Sequence, residues 1–133
     1  MPRPGPRPAP LRVLALFLLL LSRPPVGNAQ EDVWTGVEHV VAVGDVHGDY
    51  EQLVAVLRSA ELIDGDGKWS GGKAHLVQTG DILDRGADSR KAMDLLMRLE
   101  EEAEKAGGAV HALIGNHEAM DLNGDLRYVS AGE

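Results

Sequence analysis

The sequence predicts an α/β fold built from successive βαβ units, on three observations. Short apolar runs rich in β-branched residues occur three times, and each is followed by a glycine and then an acidic or amide residue. Amphipathic helical patterns lie between the runs. The polar residues after the runs are evenly spaced, with Asp45 and Asp81 36 positions apart and Asp81 and Asn116 35 apart. This spacing matches a strand, a crossover helix and a return to the neighbouring parallel strand.

The three apolar runs are predicted to be parallel strands. Residues 39–43 form a continuous run of the kind that is buried on both faces of a parallel sheet. Residues 74–79 form the second strand and residues 109–114 the third. Right-handed crossovers then bring the three polar turns to one edge of the sheet.

Two helices are predicted between the strands. Asp49 caps the first, with Gln52 completing a capping box, and this helix ends near Ala60. The second begins at Asp88 or Ser89 and stops at the glycine pair 107–108. The residues predicted to face inward from the second helix are Ala92, Leu95, Leu96, Leu99 and Ala103.

Composition limits the classes of function. Residues 30–133 carry nine basic side chains and all 21 acidic ones, a net charge of −12 that disfavours binding to nucleic acid. The chain contains no cysteine, so any metal site must use oxygen or nitrogen ligands. The acidic segment 64–68 is predicted to be a surface turn, because Lys68 stands where a calcium loop needs an oxygen ligand.

The first 29 residues have the pattern of a secretory signal peptide. An Arg- and Pro-rich start precedes the apolar run 13–21, and small residues at Gly27 and Ala29 mark a cleavage site. The run is too short for a membrane span of about 20 residues. We therefore expect a secretory-pathway protein, extracellular, periplasmic or luminal, with residues 30–133 as its mature domain and no membrane span after cleavage.

The residues in the three turns are suited to holding metal ions. Asp45 and His47 are alternate residues, so an extended chain would direct both toward one cation, and Asp81 arrives from the next turn. Asp81 can bridge to a second ion, to which Asn116 offers a carbonyl oxygen. Such donors suit Mn, Fe or Zn. Two ions of this kind activate a water for attack on phosphorus.

The remaining residues in the turns predict phosphoryl chemistry. Arg85 has a planar guanidinium that can donate paired hydrogen bonds to phosphoryl oxygens. His117 is the predicted general acid for the leaving oxygen, and Asp84 is predicted to orient its ring.

The three segments GDVHG (44–48), GDILDRG (80–86) and GNHE (115–118) resemble the signature blocks of the calcineurin-like metallophosphoesterases, in their phosphoprotein phosphatase branch. The residues flanking the second and third blocks are most similar to those of the Shewanella-like phosphatases. The resemblance implies the N-terminal half of an α-β-β-α sandwich. It also implies that a complete domain of this family holds two divalent metal ions and acts on a phosphoprotein or a small phosphoester.

Carried over by position, the resemblance makes Asp45, His47 and Asp81 ligands of one ion, and Asp81 and Asn116 ligands of the other. It assigns phosphate contact to Arg85 and protonation of the leaving group to the Asp84–His117 pair.

Several features depart from the family pattern or match no block. Ile114 stands where ordinary Ser/Thr phosphatases have arginine, and no histidine follows Glu118 to complete the second metal site. The chain is therefore expected to be a truncated domain that holds one ion and is inactive alone. Arg127 is a weaker candidate for phosphate contact. The histidines expected to be structural are His39, His75 and His111.

Two alternatives to a phosphoprotein phosphatase remain open at this point. The same metal centre would serve a hydrolase of dinucleoside polyphosphates or phosphodiesters. A secreted metal-binding fragment without catalytic activity is the other alternative.

We predict that the leader is removed after Ala29, because a short apolar run is followed there by small residues. Edman sequencing or mass spectrometry of protein recovered from the secretory pathway is expected to give an N-terminus at Gln30. Recovery of the chain from the cytosol with an intact Met1 terminus would contradict the prediction.

Overall fold

A parallel sheet forms the centre of the described chain, and its strand order follows the sequence. Strands β1 (Val40–Val43), β2 (His75–Gln78) and β3 (Ala109–Ala112) lie side by side in the order β1-β2-β3. In register, Val40 is beside His75, and His75 is beside Ala109. The sheet confirms the predicted α/β class. Each strand is shorter than predicted.

The computed structural model describes residues 1, 2, 5 and 33–132. The predicted leader therefore lies outside the described residues, apart from residues 1, 2 and 5. Contacts divide the chain into the units Met1–Trp34 and Thr35–Glu133, and the second contains every element discussed below.

Three helices are described: α1 (Tyr50–Ser59), α2 (Ser89–Ala106) and α3 (Asn116–Leu122). The carboxylate of Asp49 caps α1 by accepting the backbone N–H of Gln52 at 3.1 Å. The predicted capping box does not form, because the N–H of Asp49 donates to the carbonyl of Val46 instead.

Helix α2 begins after Asp88 but without a capping bond from that side chain, which pairs with Lys91 at 2.6 Å. The helix ends at Gly107, whose φ of 83° lies in the left-handed region that glycine adopts without strain.

The core lies between one face of the sheet and helices α1 and α2. Leu57, Leu76 and Leu99 come from α1, β2 and α2, and each is completely buried. All five residues predicted to face inward from α2 are buried, which confirms its amphipathic pattern. Both helices lie on this face because two right-handed crossovers in the order β1-β2-β3 place them on the same side.

The prediction that the first strand is buried on both faces is wrong. Val41 and Val43 pack against the core, whereas Val40 is 58% exposed and Ala42 is exposed. With α1 and α2 on one side only, alternate side chains of β1 point away from them. Among the described residues, β1 is an edge strand of the sheet, and only one of its faces is covered.

Segment 64–68 forms the predicted surface turn. The Asp64 carboxylate accepts the backbone N–H groups of Asp66 and Lys68, each at 2.9 Å. Among the described residues, no helix is both long enough and apolar enough to cross a membrane.

Candidate metal and phosphate site

Backbone hydrogen bonds join the first loop (residues 44–49, after β1) to the second loop (residues 79–88, after β2) at the carboxyl edge of the sheet. After β1, the N–H groups of Val46 and His47 both donate to the carbonyl of Asp81, at 2.9 and 3.0 Å. Gly48 N–H donates to the carbonyl of Ile82 at 2.8 Å. The residues that follow β1 and β2 are thus held in a fixed relation before any ligand binds.

Glycine is required where the loops touch. A Cβ on Gly48 would lie 2.7 Å from the carbonyl carbon of Gly86, and Gly48 also has a φ of 68°. A Cβ on Gly80 would collide with the backbone nitrogen of Gly115. The glycines of the three predicted blocks therefore permit the backbone contact that brings their polar neighbours together.

The Glu118 carboxylate joins the second loop to the third loop (residues 113–115, between β3 and α3), a role that the sequence pattern does not predict. It accepts four backbone N–H groups, those of Asp81 at 2.7 Å, Ile82 at 2.7 Å, Leu83 at 3.1 Å and Gly115 at 2.8 Å. Burial raises the pKa of Glu118, but these N–H donors outweigh burial and bring the pKa below its ordinary value.

Gln78, also unassigned from sequence, organises the point where the loops leave the sheet. This side chain is completely buried at the end of β2. Its amide nitrogen donates to the carbonyls of Gly44 and Gly80, at 3.2 and 2.6 Å, and its oxygen accepts Gly80 N–H at 2.8 Å. An apolar residue here would leave the buried N–H and carbonyl of Gly80 without these partners.

Three of the predicted metal ligands converge. One ligand atom from each of Asp45, His47 and Asp81 lies within 4.8 Å of the others. His47 donates its Nδ1–H to the carbonyl of Leu83 at 3.0 Å, so the lone pair is on Nε2, which lies 3.6 Å from the Asp45 carboxylate. A histidine whose second nitrogen is fixed by a carbonyl is a typical metal ligand. The donor set fits a divalent cation.

The geometry by which His47 reaches this cluster differs from the expected one. The predicted conformation is extended, whereas His47 has a φ of 48°. Among the described residues, five non-glycine residues have positive φ, and four of them are predicted site residues: His47, Asp81, Asp84 and Arg85. Such left-handed conformations cost free energy and concentrate at functional sites.

Asn116, the fourth predicted metal ligand, is the first residue of α3 and its side chain is exposed. Both of its neighbours approach Asp81: the His117 N–H donates to the Asp81 carboxylate at 2.9 Å, and Gly115 packs against the Asp81 backbone. Asn116 is thus placed beside the cluster by the start of α3.

The three residues predicted to act on the phosphoryl group form one chain of contacts. His117 Nδ1 lies 2.6 Å from the carboxylate of Asp84, and both side chains are buried. The Arg85 guanidinium lies 3.2 Å from Nε2 of His117. Because guanidinium only donates and the carboxylate accepts, Nδ1 of His117 donates to Asp84 and Nε2 accepts from Arg85 in this arrangement.

Other residues considered from sequence lie apart from this cluster. Arg127 pairs with Asp125 in a two-bond contact at 2.7 and 2.8 Å on the surface. His75 and His111 contact each other at 3.1 Å on the sheet, and burial followed by the nearby His111 lowers the pKa of His75. The histidine pair fits the structural role expected of it.

With this geometry established, comparison with known proteins identifies the family. The family model for calcineurin-like phosphoesterases matches residues 38–132. The chain belongs to the calcineurin-like phosphoesterase family. The match includes the three segments from which the resemblance was first drawn.

Relatives of the chain include Shewanella-like protein phosphatases, as expected. Shewanella-like protein phosphatase 2 of Arabidopsis thaliana is 46% identical over 93 residues, which cover 70% of this chain and 24% of that protein. Shewanella-like protein phosphatase 1 of Plasmodium berghei is 39% identical over 100 residues, covering 75% and 27%.

A solved structure shares the fold. The crystal structure of a cold-active protein-tyrosine phosphatase from a psychrophilic Shewanella species is 48% identical, with a TM-score of 0.70. The match covers 72% of this chain and 29% of that one. This calcineurin-like chain therefore spans about a quarter to three tenths of the length of these relatives.

We predict that Glu118→Gln lowers the free energy of unfolding by about 2–3 kcal/mol, because an amide cannot accept all four N–H groups and leaves partly buried donors unpaired. Urea unfolding at pH 7 measures the change. Glu104→Gln, at an exposed position of α2, is the matched control and should stay within about 0.5 kcal/mol of the parent.

The same variant tests the pH dependence. The lowered pKa of Glu118 makes its contribution to stability complete above the ordinary value of 4.5 and lost as the pH falls through the lower folded value. The stability gap between parent and Glu118→Gln should therefore narrow as the solution is acidified. A gap that is constant or widens toward low pH would contradict the assignment.

Proposed function

We propose that this chain carries the metal- and phosphate-binding residues of a metal-dependent phosphoester hydrolase, most specifically a phosphoprotein phosphatase. One observation carries the proposal: a three-donor cluster, Asp45, His47 and Asp81, lies at the same sheet edge as the contacts among Asp84, His117 and Arg85. Phosphoryl transfer to water requires three kinds of group: ligands for a metal cation, an arginine that binds phosphate and a histidine whose ring is held in a fixed orientation.

The metal-binding part of the proposal rests on the chemistry of the donors. Asp45, His47 and Asp81 would hold one divalent ion, and Asp81 with Asn116 would contribute to a second. Oxygen and nitrogen donors favour Mn, Fe or Zn. Bound ions of this kind polarise phosphoryl oxygens and lower the pKa of water. The chain's own contribution is rigid placement, since the backbone of Asp81 is held by loop contacts on both sides.

Arg85 and His117 have complementary tasks in the proposed reaction. The planar guanidinium of Arg85 would donate hydrogen bonds to the phosphoryl oxygens. In the structure its Nη2 donates to Nε2 of His117, so a small rotation of the guanidinium onto a phosphate beside it would free the Nε2 lone pair to take a proton from water. His117 would then deliver that proton to the leaving oxygen, while Asp84 on Nδ1 holds the ring and stabilises the imidazolium.

The substrate and compartment are parts of the same proposal. The relatives named as protein phosphatases support a phosphoprotein substrate over a dinucleoside polyphosphate. The leader pattern in residues 1–29 supports action in the secretory pathway. Comparing phosphate release from phosphopeptides, p-nitrophenyl phosphate and diadenosine tetraphosphate tests the substrate class, and preference for the last would overturn it.

We expect Asp81→Asn to weaken Mn²⁺ binding at least about tenfold and to abolish any phosphate release, because the substitution removes a charged donor common to both proposed ions. Asp64→Asn is the matched control, since that carboxylate only closes a surface turn. Calorimetry and a phosphate assay on both variants measure the difference. Equal losses at the two positions would refute the assignment.

We also expect residues 30–133 to bind roughly one divalent ion weakly and to turn over little substrate. The described residues bring three donors together for one ion, whereas only Asp81 and Asn116 are assigned to the other. One ion cannot stabilise both the attacking and leaving oxygens, so the rate should fall about a thousandfold or more. Mn²⁺ titration and phosphate release, compared with the longer Arabidopsis relative, provide the test. Two tightly bound ions or matching turnover would contradict it.

A further inference from the structure

Tyr128 lies against both groups proposed to act on the phosphoryl group, although its sequence context gave it no role. The centre of its ring is 5.2 Å from that of His117. The central carbon of the Arg85 guanidinium is 5.9 Å from the centre of the same ring, within the range of a cation–π contact. Tyr128 is 44% exposed, so its ring forms part of the surface around the site.

The backbone around Tyr128 holds the loop that carries Arg85. The N–H of Arg85 donates to the carbonyl of Tyr128 at 2.9 Å, and the Ser130 hydroxyl donates to the carbonyl of Gly86 at 2.7 Å. Asp84 and Arg85 have φ values of 71° and 65°. Two consecutive non-glycine residues in this region are strained, and such a conformation persists only where surrounding contacts maintain it.

The side chain of Arg85 also needs external support. Arginine has many rotamers, and a guanidinium that meets its ligand already ordered loses less conformational entropy on binding. The contacts described for the Arg85 side chain are those with His117 and with the Tyr128 ring. The imidazole fixes one end of the guanidinium through Nε2, and the aromatic ring limits its movement on one side.

We propose that Tyr128 is a positioning residue that holds the Arg85 guanidinium beside His117, where a phosphoryl group would meet it. The proposal rests on the proposed function, because it concerns the phosphate contact assigned to Arg85. The aromatic ring, and not the phenol hydroxyl, performs this task. The contact to Arg85 therefore predicts that phenylalanine can replace Tyr128 and an aliphatic residue cannot.

The test uses calorimetry to measure how tightly methylphosphonate binds to the full chain in the presence of Mn²⁺. Methylphosphonate is a non-hydrolysable phosphoryl anion that is too small to stack on an aromatic ring. Tyr128→Leu is expected to weaken binding about three- to fivefold, the size of an exposed cation–π contact. Tyr128→Phe should stay within about twofold of the parent. Leu126→Ala, at an exposed position of the same segment, is the matched control and should not change the affinity.

A double-mutant cycle separates positioning from general loosening of the segment. In an Arg85→Ala background, Tyr128→Leu should have no further effect on methylphosphonate affinity, since the group that it positions is gone. A general loss of structure would weaken binding by the same factor in both backgrounds. The NMR signal of the Arg85 Nε–H should also lose its ring-current shift in Tyr128→Leu and keep it in Tyr128→Phe.

The outcomes distinguish this inference from the function on which it rests. A parent chain that does not bind methylphosphonate with Mn²⁺ would overturn the proposed phosphoester site and the role of Tyr128 together. Parent binding with Tyr128→Leu unchanged, with Tyr128→Phe as weak as Tyr128→Leu, or with equal losses in the Arg85→Ala background would overturn the role of Tyr128 alone.

Discussion

The carboxylate of Glu118 is the constraint on which the arrangement of the site depends. It accepts N–H groups from both the second and third loops, so it holds together segments that are more than 30 positions apart in sequence. A charged acceptor with several backbone donors forms strong hydrogen bonds. Without this group the three consecutive N–H groups 81–83 would face a partly buried space with no acceptor. The position of Asp81, proposed to bridge both ions, follows from this anchor.

Strain at the site is maintained by the same set of contacts. Four left-handed non-glycine residues each cost on the order of 1–3 kcal/mol. Each is held by at least one bond from another segment: Asp81 O binds His47 N–H, Tyr128 O binds Arg85 N–H, and His117 binds the Asp84 carboxylate. These left-handed backbone conformations fix the position and direction of the Cα–Cβ bonds of Asp81 and Arg85. A preorganised site of this kind does not have to reorganise its dipoles when charge develops on a substrate.

The sequence predicted which residues meet but not all the reasons that they meet. Strand period and the even spacing of the blocks predicted one sheet edge, and this is enough to gather Asp45, His47 and Asp81. Glu118 and Gln78 act through backbone groups, which have no signature in side-chain patterns. Tyr128 meets Arg85 only because the chain after α3 returns across the second loop.

The prediction that β1 is buried on both faces was wrong for a different reason. A run of valines is compatible with burial on both faces or on one, and the choice depends on which side the crossover helices occupy. In the described residues, three strands in sequential order place α1 and α2 on one face of the sheet, and Val40 is exposed on the other face. Composition along the strand could not distinguish these cases, whereas topology decides between them.

The electrostatics of the cluster connect the fold to its proposed ligand. Asp45 and Asp81 contribute carboxylates that lie within 4.8 Å of each other, in a chain whose residues 30–133 carry a net charge of −12. Such like charges repel, and the backbone contacts must overcome that repulsion. A divalent cation would convert the repulsion into attraction, and because it binds the folded arrangement it would also stabilise the fold. The same acidic residues that oppose folding on their own would thus make folding and metal binding mutually reinforcing.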